Sequence, residues 1–297
     1  MQALVTGSAG FVGRHFSWEL IRRGWTVVGW DITPHVLEPY TKAAEMSGEL
    51  EGRFLWGMGD MVSALRMDDL EYARFDLVVH AAAMSPNRVG IDYKPKSHIH
   101  NRMLDAALFE WAVDNKQKHV IYLSSCAVLD ETPDDYGMVK LAGERMAQLA
   151  RREGVETTIV RPFSGYGSDQ SSAFPFGAFL ERAARRDDPF EIWNAHAVRD
   201  FIHIVDMVRG ALAVADAGIE EPVSLCTGIG TSMADLATSI CFRFGYVPLL
   251  NARADAPAGV DYRVGDPTKL REVYQPSITL QEGIARAIQD WMEKSDE

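Results

Sequence analysis

The sequence predicts an α/β fold, a doubly wound parallel sheet with a smaller C-terminal α/β domain for substrate. Two observations carry the prediction. Through the first half, short β-branched runs alternate with helix-like stretches, the rhythm of a parallel sheet. A glycine cluster, Gly7 to Gly13, stands between the first such run and the first helical pattern.

The first strand is Ala3-Leu4-Val5-Thr6, and the helix after the glycines carries Val12, Phe16 and Leu20 every fourth residue before Gly24 ends it. Thr26 to Trp30 forms the second strand. Buried-type runs follow at Arg53 to Trp56, Phe75 to His80, His119 to Leu123 and Thr157 to Val160. Between them the clearest helices are 96–114 and 137–152. After Arg161-Pro162 the rhythm breaks into Gly-, Ser- and Pro-rich loops, with a helix near Phe176 to Arg186, a strand at Val223 to Cys226 and a last helix ending near Trp291. We read residues 1–163 as a dinucleotide-binding domain, with a returning segment at about 198–230, and 164–297 as mainly a substrate domain.

Composition narrows the function. The 297 residues carry 30 Lys+Arg against 42 Asp+Glu, a formal net charge of −12. That balance opposes nucleic acid and anionic membrane surfaces, and no basic patch interrupts it. Cys126, Cys226 and Cys241 are widely spaced with no CxxC, which favours a reducing compartment over a disulfide or zinc framework, and no metal site is expected. No apolar window is long enough for a membrane span, and the start at Met1 lacks the pattern of a signal peptide. The expected location is cytoplasmic.

Thr6 to Gly13 reads TGSAGFVG, with the spacing GxxGxxG. Gly7 permits a tight turn, Gly10 lets a pyrophosphate approach the amides at the helix N-terminus, and Gly13 permits close helix–sheet contact. Asp31, at the end of strand two, is placed to accept both hydroxyls of an adenosine ribose. An acid there repels a 2′-phosphate, so NAD is expected rather than NADP. Asp60 falls either near the adenine or at a helix N-cap. Ala81, Ala82 and Ala83 end strand four with side chains small enough for a cofactor to lie against the backbone.

Tyr136 and Lys140 form a YxxxK at the start of a helix, one turn apart on one face. Lowering a phenol pKa by about three units from near 10 requires about 4 kcal/mol of preferential phenolate stabilisation. Lys140 and a positively charged nicotinamide could supply it. Ser124-Ser125 end strand five, and ligands of doubly wound sheets lie at the carboxyl ends of the strands.

Together these residues resemble an extended short-chain dehydrogenase/reductase of the nucleotide-sugar epimerase/dehydratase type. TGSAGFVG resembles TGxxGFxG; Asp31, Asp60 and HAAA fall at matching cofactor positions; Asn101 resembles the asparagine opening the family's fourth helix. SSCAVL with YGMVK resembles the active-site Ser, Tyr and Lys, RPFSGYG resembles RPxNxYG, VRDFIHIVDM is similar to RDFxHVxDxxxA, and GDPTKL resembles ADxxK. The resemblance implies a Rossmann sheet binding NAD through Gly7, Gly10, Phe11, Val12, Gly13, Asp31, Ile32, Asp60, Met61, Ala81 to Ala83, Asn101, Tyr136, Lys140 and Phe163. It implies that Tyr136 is the acid/base, that Lys140 lowers its pKa and holds the nicotinamide ribose, and that Ser125, with Ser124 as runner-up, steadies the sugar oxygen. A nucleotide-diphosphate sugar would meet Ser85, Ser125, Ser164 and Arg199. Arg253 is preferred over Arg263 as second pyrophosphate ligand. A homodimer through helices 96–114 and 137–152 is expected.

Departures from the family pattern narrow the reaction. Leu129-Asp130 replace the usual tyrosine and glycine, and the loop from Ser125 to Tyr136 is short. Cys126-Ala127 stand where 4,6-dehydratases carry an Asp-Glu pair, so elimination lacks its partners. Transient oxidation, as in a 4-epimerase, is the leading expectation; a ketoreductase or dehydrogenase with net cofactor turnover is the alternative, and a non-catalytic NAD sensor a third. Cys126 is expected to be a small buried thiol, His203 structural, and Trp193 and Trp291 either to bound a base or to pack.

Overall fold

The computed structural model describes residues 1–34, 52–67, 70–84, 95–253 and 260–295. Two compact units emerge. The first takes in the described residues up to 84 with 95–161 and 211–223, and the second takes in 162–210 and the described residues from 224 onward.

The main sheet contains β1 (Gln2–Thr6), β2 (Thr26–Asp31), β3 (Phe54–Met58), β4 (Leu77–His80), β5 (His119–Leu123), β6 (Glu156–Pro162) and β10 (Val223–Leu225). Its order is β10-β6-β5-β4-β1-β2-β3. Registered pairs from β3 to β6 are all parallel. The order reverses between β1 and β4, which puts a switch point where the glycine loop meets His80 to Ala83. Helices α1 (Phe11–Arg22), α2 (Met61–Met67), α3 (Pro95–Asp114) and α4 (Asp135–Arg152) complete this unit. Its core joins Leu4, Val78, Val120 and Ile159 from the strands with Leu65, Leu108, Trp111 and Ala147 from the helices. Apolar strands buried on both faces read as continuous runs, and Leu77 to His80 is buried throughout.

In the second unit β7 (Ser164–Tyr166), β9 (Val198–His203), β11 (Gly230–Ser232) and β13 (Tyr262–Arg263) make a small sheet, while β8 (Phe190–Trp193) pairs in parallel with β12 (Leu250–Arg253). Helices α5 (Pro175–Ala184), α7 (Met233–Arg243), α8 (Thr268–Val273) and α9 (Leu280–Ser295) belong here, and α6 (Ile204–Asp216) follows β9 directly. Tyr166, Phe176, Phe190, Leu236 and Ile284 centre its core. The last helix runs past Trp291 to Ser295, because its apolar positions Ile284, Ala287, Ile288 and Trp291 keep helical spacing against that core.

Candidate active site

Gly7 has φ of +66° and its amide donates to the Trp30 carbonyl at 2.8 Å. A Cβ there would lie 2.7 Å from the Ala82 backbone, so only glycine lets the β1–α1 turn rest against the end of β4. At Gly13 a Cβ would lie 2.1 Å from the Gly7 carbonyl oxygen. Gly10 caps α1 without a side-chain hydrogen bond, and no acid sits in the first turn. A helix start of that kind fits an anion. Phe11 and Val12 begin the helix half-buried.

Asp31 ends β2. Its Oδ2 accepts from the Ala9 amide at 3.0 Å, and its Oδ1 accepts from the Thr33 amide and hydroxyl at 3.0 and 2.9 Å. The carboxylate thereby ties strand two to the glycine loop at the edge a ribose would approach. Ile32 beside it is 58% exposed. Asp60 Oδ1 accepts from the Ser63 amide and hydroxyl, so it caps α2. Met61 is buried in the core, leaving only its backbone for a ligand.

Ala81 and Ala82 are half-buried and Ala83 is exposed. The Ala82 amide donates to Thr6 Oγ1 at 3.1 Å. Asn101, buried on α3, accepts from the Met84 amide at 2.8 Å and donates to the Met84 carbonyl at 2.9 Å, clamping the chain that leaves β4. Ser85 lies outside the described residues.

The two serines after β5 differ in accessibility and partners. Ser124 is buried and its hydroxyl donates to Glu144 Oε1 at 2.6 Å; Arg161 grips the same carboxylate with two bonds of 2.8 and 2.7 Å. Ser125 is half-buried, and its Oγ accepts from the Ala127 amide at 3.1 Å, capping a 3₁₀ turn, Cys126–Leu129. The short connection then closes tightly. Asp134 caps α4 by accepting from the Gly137 amide at 2.8 Å, and a Cβ on Gly137 would lie 2.8 Å from the Ala127 carbonyl oxygen. Tyr136 is thereby held in the first turn of α4 beside the Ser125 turn.

Lys140 is 3% exposed; its Nζ donates to the Leu123 carbonyl at 2.8 Å and lies 5.0 Å from the Tyr122 ring centroid. Burial pulls the ammonium below its ordinary pKa, and Asp105 opposes the shift. Burial pushes the Tyr136 phenol upward, with Cys126, Asp105 and Asp134 adding to the push. In this structure the phenol stands above its ordinary range, the opposite of the lowering that the family resemblance assigns to Lys140. The His98 ring lies 6.4 Å from that of Tyr136.

In the second unit Phe163 is buried, and a Cβ on Gly265 would lie 2.7 Å from its Cζ. Ser164 is half-buried and opposite Phe201 in the β7–β9 register. Arg199 on β9 donates to the Val198 and Val260 carbonyls at 2.8 and 2.6 Å, and Arg263 is its direct register neighbour on β13. Arg253 lies on β12, in the other small sheet, where it donates to Glu191 at 3.2 Å.

His203 accepts from the Val205 amide through Nδ1 at 3.3 Å and sets its ring edge-on to Tyr166, a structural role. Trp291 packs on Phe244, whereas Trp193 is 40% exposed. The three cysteines are free and buried, and among the described residues no cluster could hold a metal ion. Sequence reasoning missed Asp200, fully buried, which accepts from the Thr227 and Gly228 amides and the Thr227 hydroxyl, and the polar group of His80, Asp105 and Tyr122. Their signal was an acid within otherwise apolar segments.

A Rossmann sheet with a glycine loop at its switch point, and Ser, Tyr and Lys at the carboxyl end of β5, defines a dinucleotide-dependent enzyme of the short-chain dehydrogenase/reductase class. Residues 3–225 match the NAD dependent epimerase/dehydratase family, and the chain belongs to it. NAD is the cofactor of that family. The chain is 24% identical to a putative UDP-glucose 4-epimerase of Methanocaldococcus jannaschii, with 99% of each protein covered. It is 26% identical to a dTDP-4-dehydro-6-deoxy-D-allose reductase of Streptomyces bikiniensis, over 91% of this chain and 89% of that one. The crystal structure of UDP-glucuronic acid 4-epimerase from Bacillus cereus, in complex with UDP-glucuronic acid and NAD, superposes with a TM-score of 0.81 at 25% identity, covering 99% and 100% of the two chains. Among the described residues no helix is long and apolar enough to cross a membrane.

Proposed function

We propose that the protein is a nucleotide-sugar 4-epimerase that oxidises C4 of its sugar transiently and reduces it again from the other face. The observation that carries this reading is that Ser125 follows β5 directly while Lys140, one turn after Tyr136 on α4, donates to the Leu123 carbonyl at the end of that strand, with Cys126 and Ala127 following the serine in place of an acid pair. Such a site moves a proton and steadies an oxygen, and it lacks the carboxyl groups that elimination of water requires.

NAD, when bound, supplies the hydride-accepting ring and its positive charge. The α1 N-terminus at Gly10 to Val12 would hold its pyrophosphate and Asp31 its adenosine ribose, with the backbone of Ala81 and Ala82 beside it. Tyr136 takes the proton from the sugar hydroxyl during oxidation and gives it back during reduction. A buried phenol with a raised pKa is a proton donor at rest, so it becomes a base only when positive charge gathers around it, from Lys140 and from the bound cofactor. Ser125, whose Oγ accepts from Ala127, keeps its own proton to donate to the carbonyl oxygen. Arg199 and Arg253 are assigned to the sugar-nucleotide diphosphate, Phe163 to the nicotinamide and Ser164 to the sugar nucleotide, as the family resemblance implies. The exposed apolar residues Ile99 and Met103 on α3 and Met138, Leu141 and Leu149 on α4 support a homodimer built from these helices.

The second reading is a reductase or dehydrogenase with net cofactor turnover, favoured by the likeness to the Streptomyces reductase. Incubation with NAD and a panel of UDP-, GDP-, dTDP- and CDP-sugars separates the two. New epimers without net NADH support the epimerase; stoichiometric NADH, or reaction only with added reductant, supports the second reading and overturns the first.

A further inference from the structure

Beneath Lys140 a buried polar chain crosses the first unit. The Ala82 amide donates to Thr6 Oγ1 at 3.1 Å, and Thr6 Oγ1 is 2.8 Å from His80 Nδ1. His80 Nε2 is 3.0 Å from Asp105 Oδ1, and the Tyr122 hydroxyl donates to Asp105 Oδ2 at 2.7 Å. Thr6, His80, Asp105 and Tyr122 are each at most 2% exposed.

One arrangement of protons satisfies every member. Thr6 accepts from Ala82 and donates to Nδ1, His80 donates from Nε2, and Tyr122 donates its hydroxyl. Asp105 is then the one anion of this chain. The cation is Lys140, whose ammonium lies over the Tyr122 ring. Helix α4 is shaped for the pair: Gly143, three residues after Lys140, has no room for a side chain, since a Cβ would lie 1.8 Å from the Tyr122 hydroxyl and 2.6 Å from Asp105 Oδ2.

We propose that Asp105 is the buried counter-ion of Lys140, a positioning residue that keeps the ammonium charged where water is excluded, with Tyr122 and His80 fixing the carboxylate. Burial without a counter-ion disfavours the charged ammonium, and Asp105 opposes that effect at Lys140. Other titratable groups around the pair are His80 on β4, Tyr122 on β5, Cys126 in the 3₁₀ turn, His98 on α3, and Tyr136 and Glu144 on α4. Glu144 is committed to Arg161 and Ser124, so it does not replace Asp105. Burial raises the Asp105 pKa, yet the His80 bond and the Lys140 charge outweigh it and hold the carboxyl below its usual range.

The functional consequence rests on Lys140 being the active-site lysine; the charge coupling through the Tyr122 ring does not. The test is a pH titration of the Lys140 side chain by NMR in protein labelled at lysine Cε and Nζ, assigned with Lys140→Arg, for wild type and Asp105→Asn. Lys140 is charged at pH 7 in wild type, and its titration moves down by about one pH unit or more in Asp105→Asn. A neutral Lys140 at pH 7 in wild type overturns the proposal even when Asp105→Asn does not fold, and so does a titration that Asp105→Asn leaves in place. The alkaline limb of kcat/KM follows the same shift. A moved titration with an unmoved activity profile keeps Asp105 as the counter-ion and removes Lys140 from the proposed reaction.

Discussion

Gly143 and Tyr122 are fitted to one another: a side-chain carbon on Gly143 would stand 1.8 Å from the Tyr122 hydroxyl oxygen and 2.4 Å from Cζ. Alanine is the better helix former by about 1 kcal/mol, so an exposed glycine at this point of α4 would be improved by the change. Here overpacking dominates, and Gly143→Ala costs about 1–3 kcal/mol net, read as a lower midpoint in denaturant. Because Tyr122→Phe also takes a donor from the buried Asp105, the test is a cycle: Gly143→Ala costs less in a Tyr122→Phe background than in wild type. Equal costs in the two backgrounds would contradict the fit.

Gly7 and Gly218 share a positive φ, +66° and +65°, yet only Gly7 has backbone within reach of a Cβ. Gly218→Ala therefore carries the left-handed strain alone, about 1–2 kcal/mol. Gly7→Ala carries that strain and the clash with Ala82, so it is the more destabilising, and it also weakens NAD binding by calorimetry. Equal losses at the two sites would show that the turn does not press on the end of β4.

The adjacent serines separate by function. Ser124→Ala removes a hydroxyl from the buried Glu144 carboxylate and costs about 1–2 kcal/mol of stability with kcat nearly retained. Ser125→Ala leaves stability within about 1 kcal/mol and lowers kcat by roughly 10²–10³-fold, the loss of one oxygen-stabilising donor. Glu144→Ala strands Arg161 and costs about 3–5 kcal/mol. Steady-state kinetics beside urea unfolding reads all three.

Acid stability depends on Asp105. Its folded pKa is depressed, so its contribution is present above the unfolded value of about 3.9 and is lost as pH falls through the folded one. Lys140, also depressed, has the opposite history: its burial penalty holds below its folded pKa, and stability rises with pH from there toward about 10.4. Urea midpoints measured in acid fall more steeply for wild type than for Asp105→Asn; parallel slopes would contradict the assignment.

Much of the first unit is legible in the sequence because its strands are buried on both faces and read as unbroken apolar runs: His119–Leu123 is found to the residue, and Thr26–Asp31 to within one. The small strands of the second unit were harder. Ser164–Tyr166, Gly230–Ser232 and Tyr262–Arg263 are two or three residues long, too short to show a period, and are held by partners distant in the chain. For the proposed site, motif spacing singles out Gly7, Asp31, Ser125, Tyr136 and Lys140, and each stands at the end of a strand or the start of a helix. Asp105 and Tyr122 escape it because what joins them is a contact between α3 and β5, which no local pattern records.

The central claim is transient oxidation with return of the same hydride, and the direct measurement follows a nucleotide sugar carrying deuterium at C4. The account predicts an epimer that keeps its deuterium at C4 while no reduced cofactor accumulates, and no epimer from Tyr136→Phe. Deuterium lost to solvent, or transferred to cofactor released in proportion to product, would contradict it.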